Sequence, residues 1–430
     1  MNLRTLFSRC VAIFALIGVV FFAAQPLMAN DNAHGAHDPK PAATGHAVAA
    51  HGNAHGDHGP AAEPPSVLKS FAYSYLTAFL FCLSLALGGL FFLLIHHLFD
   101  AGWSVPLVRL AEHFACLFRP LTVLLIPLLV LQKTIWPWMS INPAEDHALS
   151  VKSGPLLNQV SFTVLLVGIF LLWNYIAFSF RKYSLAQDKD GSPVWTYKAR
   201  KLAAWGIFVF GFSLTLVIIL MMMSMQHQFF STMYGVYYFA GSIWLTLGTL
   251  YGLMRYLMTR ELAGVVFPRQ IHDVGTWFFA FTVFYAYIAF SQYFLIWNAA
   301  IPEETFWFVD REKGSWWEVG LLILFGHFFI PFLALLRIDT KMSLFVMGPL
   351  VLWAWLMHYT DMTFNIMPVI WKNGLHVTLF DPICWFGMAA ILARHFWSDY
   401  LKYPKWTLKH PRLQEAITHH EIPAQHASAE

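Results

Sequence analysis

Charged side chains are scarce in this chain of 430 residues: Asp, Glu, Lys and Arg make up 12%, about half of what a soluble domain carries. Hydrophobic residues account for 58% and aromatic ones for 17%, a membrane composition. Cysteine is as sparse. Cys10, Cys82, Cys116 and Cys384 stand far apart, none in a C-x-x-C or C-x-x-C-H motif. The chain therefore encodes neither an iron–sulfur ligand set nor a covalent haem attachment. It also lacks a phosphate-binding loop, a dinucleotide fingerprint and a hydrolase elbow, so ATP-driven and hydrolytic chemistry have no support. The net charge of +3 belongs to loops and implies no nucleic-acid partner.

What the chain has instead is long apolar runs. Ten can be drawn, at 10–29, 70–96, 117–138, 156–180, 202–226, 233–258, 274–298, 316–337, 342–362 and 376–397. About 20 residues at 1.5 Å rise cross about 30 Å of hydrocarbon, so most suffice for a span. Threading them alternately from an inside N-terminus sorts the 27 Lys and Arg. Only Lys40, Lys69, Lys133, Lys152, Arg311, Lys313 and Lys372 fall on one side; the other twenty share the opposite side, which the positive-inside rule makes cytoplasmic. The expected fold is an all-α polytopic membrane protein of about ten transmembrane helices. Exposed backbone cannot be satisfied in hydrocarbon, and no alternating pattern suggests a barrel.

Arg4 and Arg9 precede an apolar run ending near Leu27-Met28-Ala29, so residues 1–29 read equally as a signal peptide or a first transmembrane helix. Either delivers the linker 30–69 to the periplasm. That linker is poor in large apolar residues and carries His34, His37, His46, His51, His55 and His58. Imidazoles bind zinc, copper and nickel, so metal capture is one reading; a polar tether with no pre-formed coordination geometry is the other. Residues 70–399 form the helical domain, and 400–430 a cytoplasmic tail of low structure with His419 and His420. Residues 103–118, with Arg109, Glu112 and His113, read as an amphipathic segment along the cytoplasmic interface. Trp136, Trp138, Trp195, Trp205, Trp307, Trp316 and Trp317 are placed in an interfacial belt.

Ionisable groups inside spans are costly and count as functional candidates by default. His327 lies mid-helix in 316–337. His358 and Asp361, three apart, share a helical face and form the better pair for handling protons. Asp381 lies one turn into the last span and precedes Pro382, where it serves as a candidate proton carrier or a helix cap. Glu303 and Glu304 are candidate outer proton relays or plain loop acids. His272 and Asp273 open a helix inside and, with His358 outside, are candidate quinone-site residues; Asp273 alone also reads as a helix stabiliser. A b-type haem needs two facing axial histidines at mid-depth, and only His327 is central.

The blocks His272-Asp273-Val274-Gly275, Phe284-Tyr285-Ala286-Tyr287, Ala289-Phe290-Ser291-Gln292-Tyr293, Ile296-Trp297 and Ile301-Pro302-Glu303-Glu304 resemble the second NrfD-like (polysulfide-reductase-type) membrane subunit of bacterial alternative complex III, a quinol:cytochrome c oxidoreductase. Further similar stretches are Ala101-Gly102-Trp103-Ser104 with Arg109 and Glu112, Tyr183-Ser184 with Gln187-Asp188, Phe230-Ser231-Thr232, and His358-Tyr359 with Asp361, covering about 70–400. The resemblance implies ten helices with two four-helix bundles plus flanking helices, and an uncleaved first helix in the bacterial inner membrane. It also implies partners: a multihaem cytochrome c, an iron–sulfur subunit and a sister NrfD-like subunit. Haem and iron–sulfur would sit in those partners and no cofactor in this chain, although quinone binding stays open. The chain departs from the family pattern where Leu220-Met221 replaces an Asp-Trp pair and His227-Gln228-Phe229 replaces Pro-His-Trp, which puts a proton path through that helix in doubt.

The expected function is a non-catalytic membrane subunit of such a complex, scaffolding its redox partners and conducting protons. Two other readings stand beside it: a quinone-binding anchor that itself oxidises quinol, and a metal or small-solute transporter fed by the His-rich linker. A transporter is expected to show internal repeats with broken helices, and no clear repeat is visible.

Overall fold

A computed structural model describes residues 65–418, Pro155 excepted. Its regular structure is helical. In chain order come α1 (Val67–Phe99), α2 (Val108–Ala115), α3 (Phe118–Val130), α4 (Gln159–Asp190), α5 (Val194–Met221), α6 (Tyr234–Met258), α7 (Pro268–Ala299), α8 (Pro302–Val309), α9 (Trp316–Ile323), α10 (Ile330–Leu335), α11 (Leu344–Ile366), α12 (Phe380–Lys402) and α13 (Leu413–Thr418), with shorter turns between them. Among the described residues six helical stretches are long and apolar enough to cross a membrane. The chain is a multi-pass helical membrane protein.

The first of these helices is the hub. α1 is apolar on every side, and such a helix must be buried. In its most apolar stretch 89% of residues are buried, against 28% for α7 and for the Trp316–Leu335 stretch. α2, α3, α5, α6, α11 and α12 all pack around it. Small residues permit the close approach. A Cβ at Gly89 would stand 2.4 Å from Phe114 Cβ and 2.7 Å from the Ala115 amide nitrogen, so α2 lies directly on the α1 backbone. By contrast α7 leaves Tyr287, Phe290, Leu295 and Trp297 exposed, a face suited to lipid or a partner subunit.

Four expectations are corrected. Residues 103–118 are not a surface segment: Arg109, Glu112 and His113 are at most 1% exposed. Their charges are matched internally, which removes the reason to seek water. Arg109 bonds Glu112 at 2.7 Å and Asp188 at 2.5 Å, while Arg181 bonds Asp399 and approaches His113 Nδ1 at 2.8 Å. Four of the tryptophans read as a belt, Trp136, Trp138, Trp307 and Trp316, are buried inside the protein instead of facing its surroundings. Trp136 donates to Met221 O at 3.1 Å and Trp316 to Trp371 O at 2.7 Å, so each indole serves a neighbouring segment.

The tail is ordered as far as the described residues go. Leu408 N donates to Asp188 Oδ1 at 2.7 Å, Lys409 Nζ to Lys189 O at 2.6 Å, and Gln270 Nε2 to Ala416 O at 3.1 Å. Two of the three acceptors are carbonyls at helix ends, a source of order that hydropathy does not register. Lastly, α7 opens at Pro268, so His272 and Asp273 lie more than a turn inside it. Residues 1–29, the linker as far as residue 64 with its six histidines, and His419 and His420 lie outside the described residues, while Val67, Leu68 and Lys69 already belong to α1.

Candidate functional site: a buried histidine–aspartate cluster

Among the described residues one group of three potential ligands converges: His327, His358 and Asp361 each place a ligand atom within 4.8 Å of the others. All three are 0% exposed. α11 supplies His358 and Asp361, with Asn365 one turn further on the same face. His327 comes from the turn Leu324–Phe329, whose hydrogen bonds follow the π-helical pattern between α9 and α10. Such a bulge reorients a side chain within a continuing helix and is frequent at functional sites. The His327 ring is clamped between Trp244, 3.8 Å away centre to centre, and Tyr285, 3.7 Å away, both nearly parallel to it.

Hydrogen bonds fix the other two members. Asp361 Oδ1 accepts from Tyr237 and, at 3.2 Å, from Asn365 Nδ2. The Tyr237 and Tyr285 hydroxyls lie 2.8 Å apart, and Tyr234 donates to Asn365 Oδ1 at 2.9 Å. His358 Nε2 is 2.9 Å from Ser84 Oγ. Ser84 has one proton and two oxygens to receive it, Leu80 O at 3.1 Å and the Tyr238 hydroxyl at 3.2 Å. The arrangement leaving no donor idle has His358 donating from Nε2, with its Nδ1 lone pair free. Gly241 makes room beside that nitrogen: a Cβ there would stand 3.0 Å from His358 Cε1 and 3.2 Å from Nδ1.

One atom of His358 and one of Asp361 are thus committed, yet the cluster is not saturated. His327 Nδ1 and Nε2, His358 Nδ1 and Asp361 Oδ2 are buried and have no hydrogen-bond partner among the described residues. Each such atom costs roughly 1–3 kcal/mol, and four of them gathered at one place call for an explanation. Arg311 completes the surroundings. It donates to Phe364 O at 3.0 Å and Asn365 O at 2.7 Å, and its guanidinium lies 3.5 Å above the Trp307 ring. Its charge therefore sits against the carbonyl end of α11. Burial pulls its pKa down to about 10, which keeps it charged at neutral pH.

The remaining candidates lie apart from the cluster. Asp381, in the first turn of α12, accepts from Ser74 Oγ at 2.6 Å and from Thr378 N at 2.7 Å, an arrangement that ties α12 to α1. Glu303 and Glu304 occupy the first turn of α8, where acids meet the positive helix end. His272 and Asp273 are 3.6 Å apart, 25% and 30% exposed. Thirteen residues separate His272 from Tyr285, roughly 20 Å along α7, so His272 and His358 belong to different places. His227 pairs with Asp146 at 2.7 Å across two loops, and this hydrogen bond holds the Asp146 carboxyl below its ordinary pKa.

Sequence reading missed Tyr234, Tyr237, Asn365, Ser84 and Trp244. Part of the signal was there. Tyr234, Tyr237 and Tyr238 recur at helical spacing, and His358, Asp361 and Asn365 form an i, i+3, i+7 line on one face. No protein-family model matches the chain, and no curated protein does.

Proposed function

We propose that this chain is the second NrfD-like membrane subunit of a respiratory quinol:cytochrome c oxidoreductase in a bacterial inner membrane. It would hold no redox cofactor and would conduct protons through the His327–His358–Asp361 cluster. Ten crossings in two four-helix bundles with flanking helices form part of this reading. α6, α11 and α12 have 25, 23 and 23 residues, long enough at 1.5 Å per residue to join the six apolar stretches.

The observation that carries the proposal is the buried cluster with its unpartnered lone pairs and its tyrosine extension through Tyr237 and Tyr285. Histidine and carboxylate side chains packed inside a helical bundle mark proton or ion routes more often than packing. The cluster also joins two of the resembling blocks, since Tyr285 comes from one and His358 and Asp361 from another. A quinol-oxidising anchor is less well supported, because His272 and Asp273 stand roughly 20 Å along α7 from Tyr285.

The test has two stages. Mild-detergent purification of the tagged chain, with partners identified by mass spectrometry and a reduced-minus-oxidised spectrum, is expected to bring down c-type cytochrome and iron–sulfur subunits. A lone, colourless protein would sink the electron-transfer reading. In the assembled complex Asp361→Asn is expected to lower proton-coupled turnover while leaving partner recovery intact. Unchanged turnover removes Asp361 from any proton path.

A further inference from the structure

The geometry points to a binding site for a divalent transition cation of the zinc class at His327, His358 and Asp361. This goes beyond the proton reading and does not depend on it, since binding is measured on the chain itself.

Donor chemistry comes first. Two imidazoles and one carboxylate are the ligand types that zinc takes, and three protein ligands with one open position form the pattern of its reactive sites. Ligand atoms at about 2.0–2.2 Å from a tetrahedral ion lie roughly 3.3–3.6 Å from one another. Here they are within 4.8 Å, so closing on an ion takes an inward movement of about 1 Å.

The supporting shell is the second argument. Metal-bound histidines normally bond a partner through the other ring nitrogen, and metal-bound carboxylates are themselves hydrogen-bonded. His358 does this through Nε2 to Ser84, and Asp361 through Oδ1 to Tyr237 and Asn365. His327 is oriented instead by its two stacked rings. What stays unpartnered is one lone-pair atom on His358, one on Asp361 and both nitrogens of His327.

Charge is the third. Among the described residues Asp361 has no cationic side chain within ion-pairing distance, so an ionised carboxylate there is costly unless something neutralises it. A divalent ion would do so while occupying the unpartnered atoms. It would use the same lone pairs as a proton, so the two exclude one another at any instant.

Co²⁺ is the probe, because tetrahedral nitrogen–oxygen coordination gives an intense visible d–d band and hexahydrated Co²⁺ does not. The full chain is purified in detergent through a tag without histidine and titrated with Co²⁺. The expected result is a tetrahedral band saturating at one ion per chain. It should be lost in His327→Phe, which keeps the aromatic stack, and in Asp361→Asn, which keeps the hydrogen bonds to Oδ1. Ser84→Ala should weaken binding by about 10- to 100-fold, the usual effect of losing such a partner. Absence of the band in the folded wild-type chain overturns the proposal. So does a band that survives both substitutions, which would assign the ion to the histidines at 34–58. Loss of binding with intact proton-coupled turnover, or the reverse, separates this inference from the proton reading.

Discussion

Replacing Arg109 by Met tests whether the charges buried beneath α1 hold the helices together. The Arg109 guanidinium is inaccessible to solvent and bonds Glu112 at 2.7 Å and Asp188 at 2.5 Å, joining α2 to α4. Arg181 bonds Asp399 and stands 4.0 Å from Glu112, extending the network to α12. Two cations thus serve three carboxylates. Arg109→Met keeps the apolar stem but leaves one cation for three acids, and breaking a buried pair in this way costs about 3–5 kcal/mol. Most of that cost comes from stranding the acids rather than from losing attraction. The triple variant Arg109→Met/Glu112→Met/Asp188→Asn, which leaves Arg181 with Asp399 alone, is therefore expected within about 1–2 kcal/mol of the parent. The Asn retains the acceptor used by Leu408 N. Equilibrium unfolding in mixed micelles of rising SDS fraction, followed by tryptophan fluorescence, measures both. A loss under about 1 kcal/mol for Arg109→Met refutes the argument, as does a triple variant no more stable than the single one.

Other consequences follow from contacts already described. Gly89→Ala forces a Cβ to within 2.7 Å of the Ala115 amide nitrogen, so overpacking of about 1–3 kcal/mol should outweigh the ~1 kcal/mol gain in helix propensity; Gly168→Ala, with nothing within 4 Å, should show the gain alone in the same unfolding assay. Arg311→Met leaves the Phe364 and Asn365 carbonyls uncapped and should cost about 2–4 kcal/mol, read as lower stability in the same micelles. Burial holds the His410 pKa below its ordinary value, with Arg412 acting in the same direction and Asp100 against it. Its contribution to stability is therefore complete above about pH 6.5 and declines as pH falls below that. Hydrogen exchange in α13, corrected for intrinsic rates, should rise between pH 7.5 and 5.5 in the parent and not in His410→Gln; an equal rise in both removes His410 as the cause.

How much of this was legible in the sequence depends on how local the determining physics is. The nine apolar runs that lie within the described residues all fall on helices, because hydrocarbon demands internally paired backbone and leaves the pattern plain. The edges were drawn short. α4 runs on through Arg181, Lys182 and Lys189 to Asp190, polar turns that hydropathy cuts off but that pairs such as Arg109–Asp188 sustain. The fate of 103–118 was not readable for the same reason. An amphipathic pattern reports that polar groups need partners, and Asp188 lies 79 residues from Arg109 while Asp399 lies 218 from Arg181.

The cluster divides along the same line. His358 and Asp361 were visible as a pair because one helix carries both. His327 was visible only as an isolated costly residue, since the π-helical turn that presents it and the Trp244–Tyr285 clamp are tertiary facts. Arg311 was assigned by topology to an outer loop, where a cation normally finds water. It is buried because α11 ends beneath it, and no feature of its own segment announces that end. Asp381 shows the converse: a residue suspicious on cost alone is accounted for by Ser74 and Thr378, which leave its carboxylate fully engaged. Cost of burial selects candidates, then, but unpartnered atoms discriminate among them. By that measure the cluster, which gathers four unpartnered atoms in one place, outranks Asp381 as a site of chemistry.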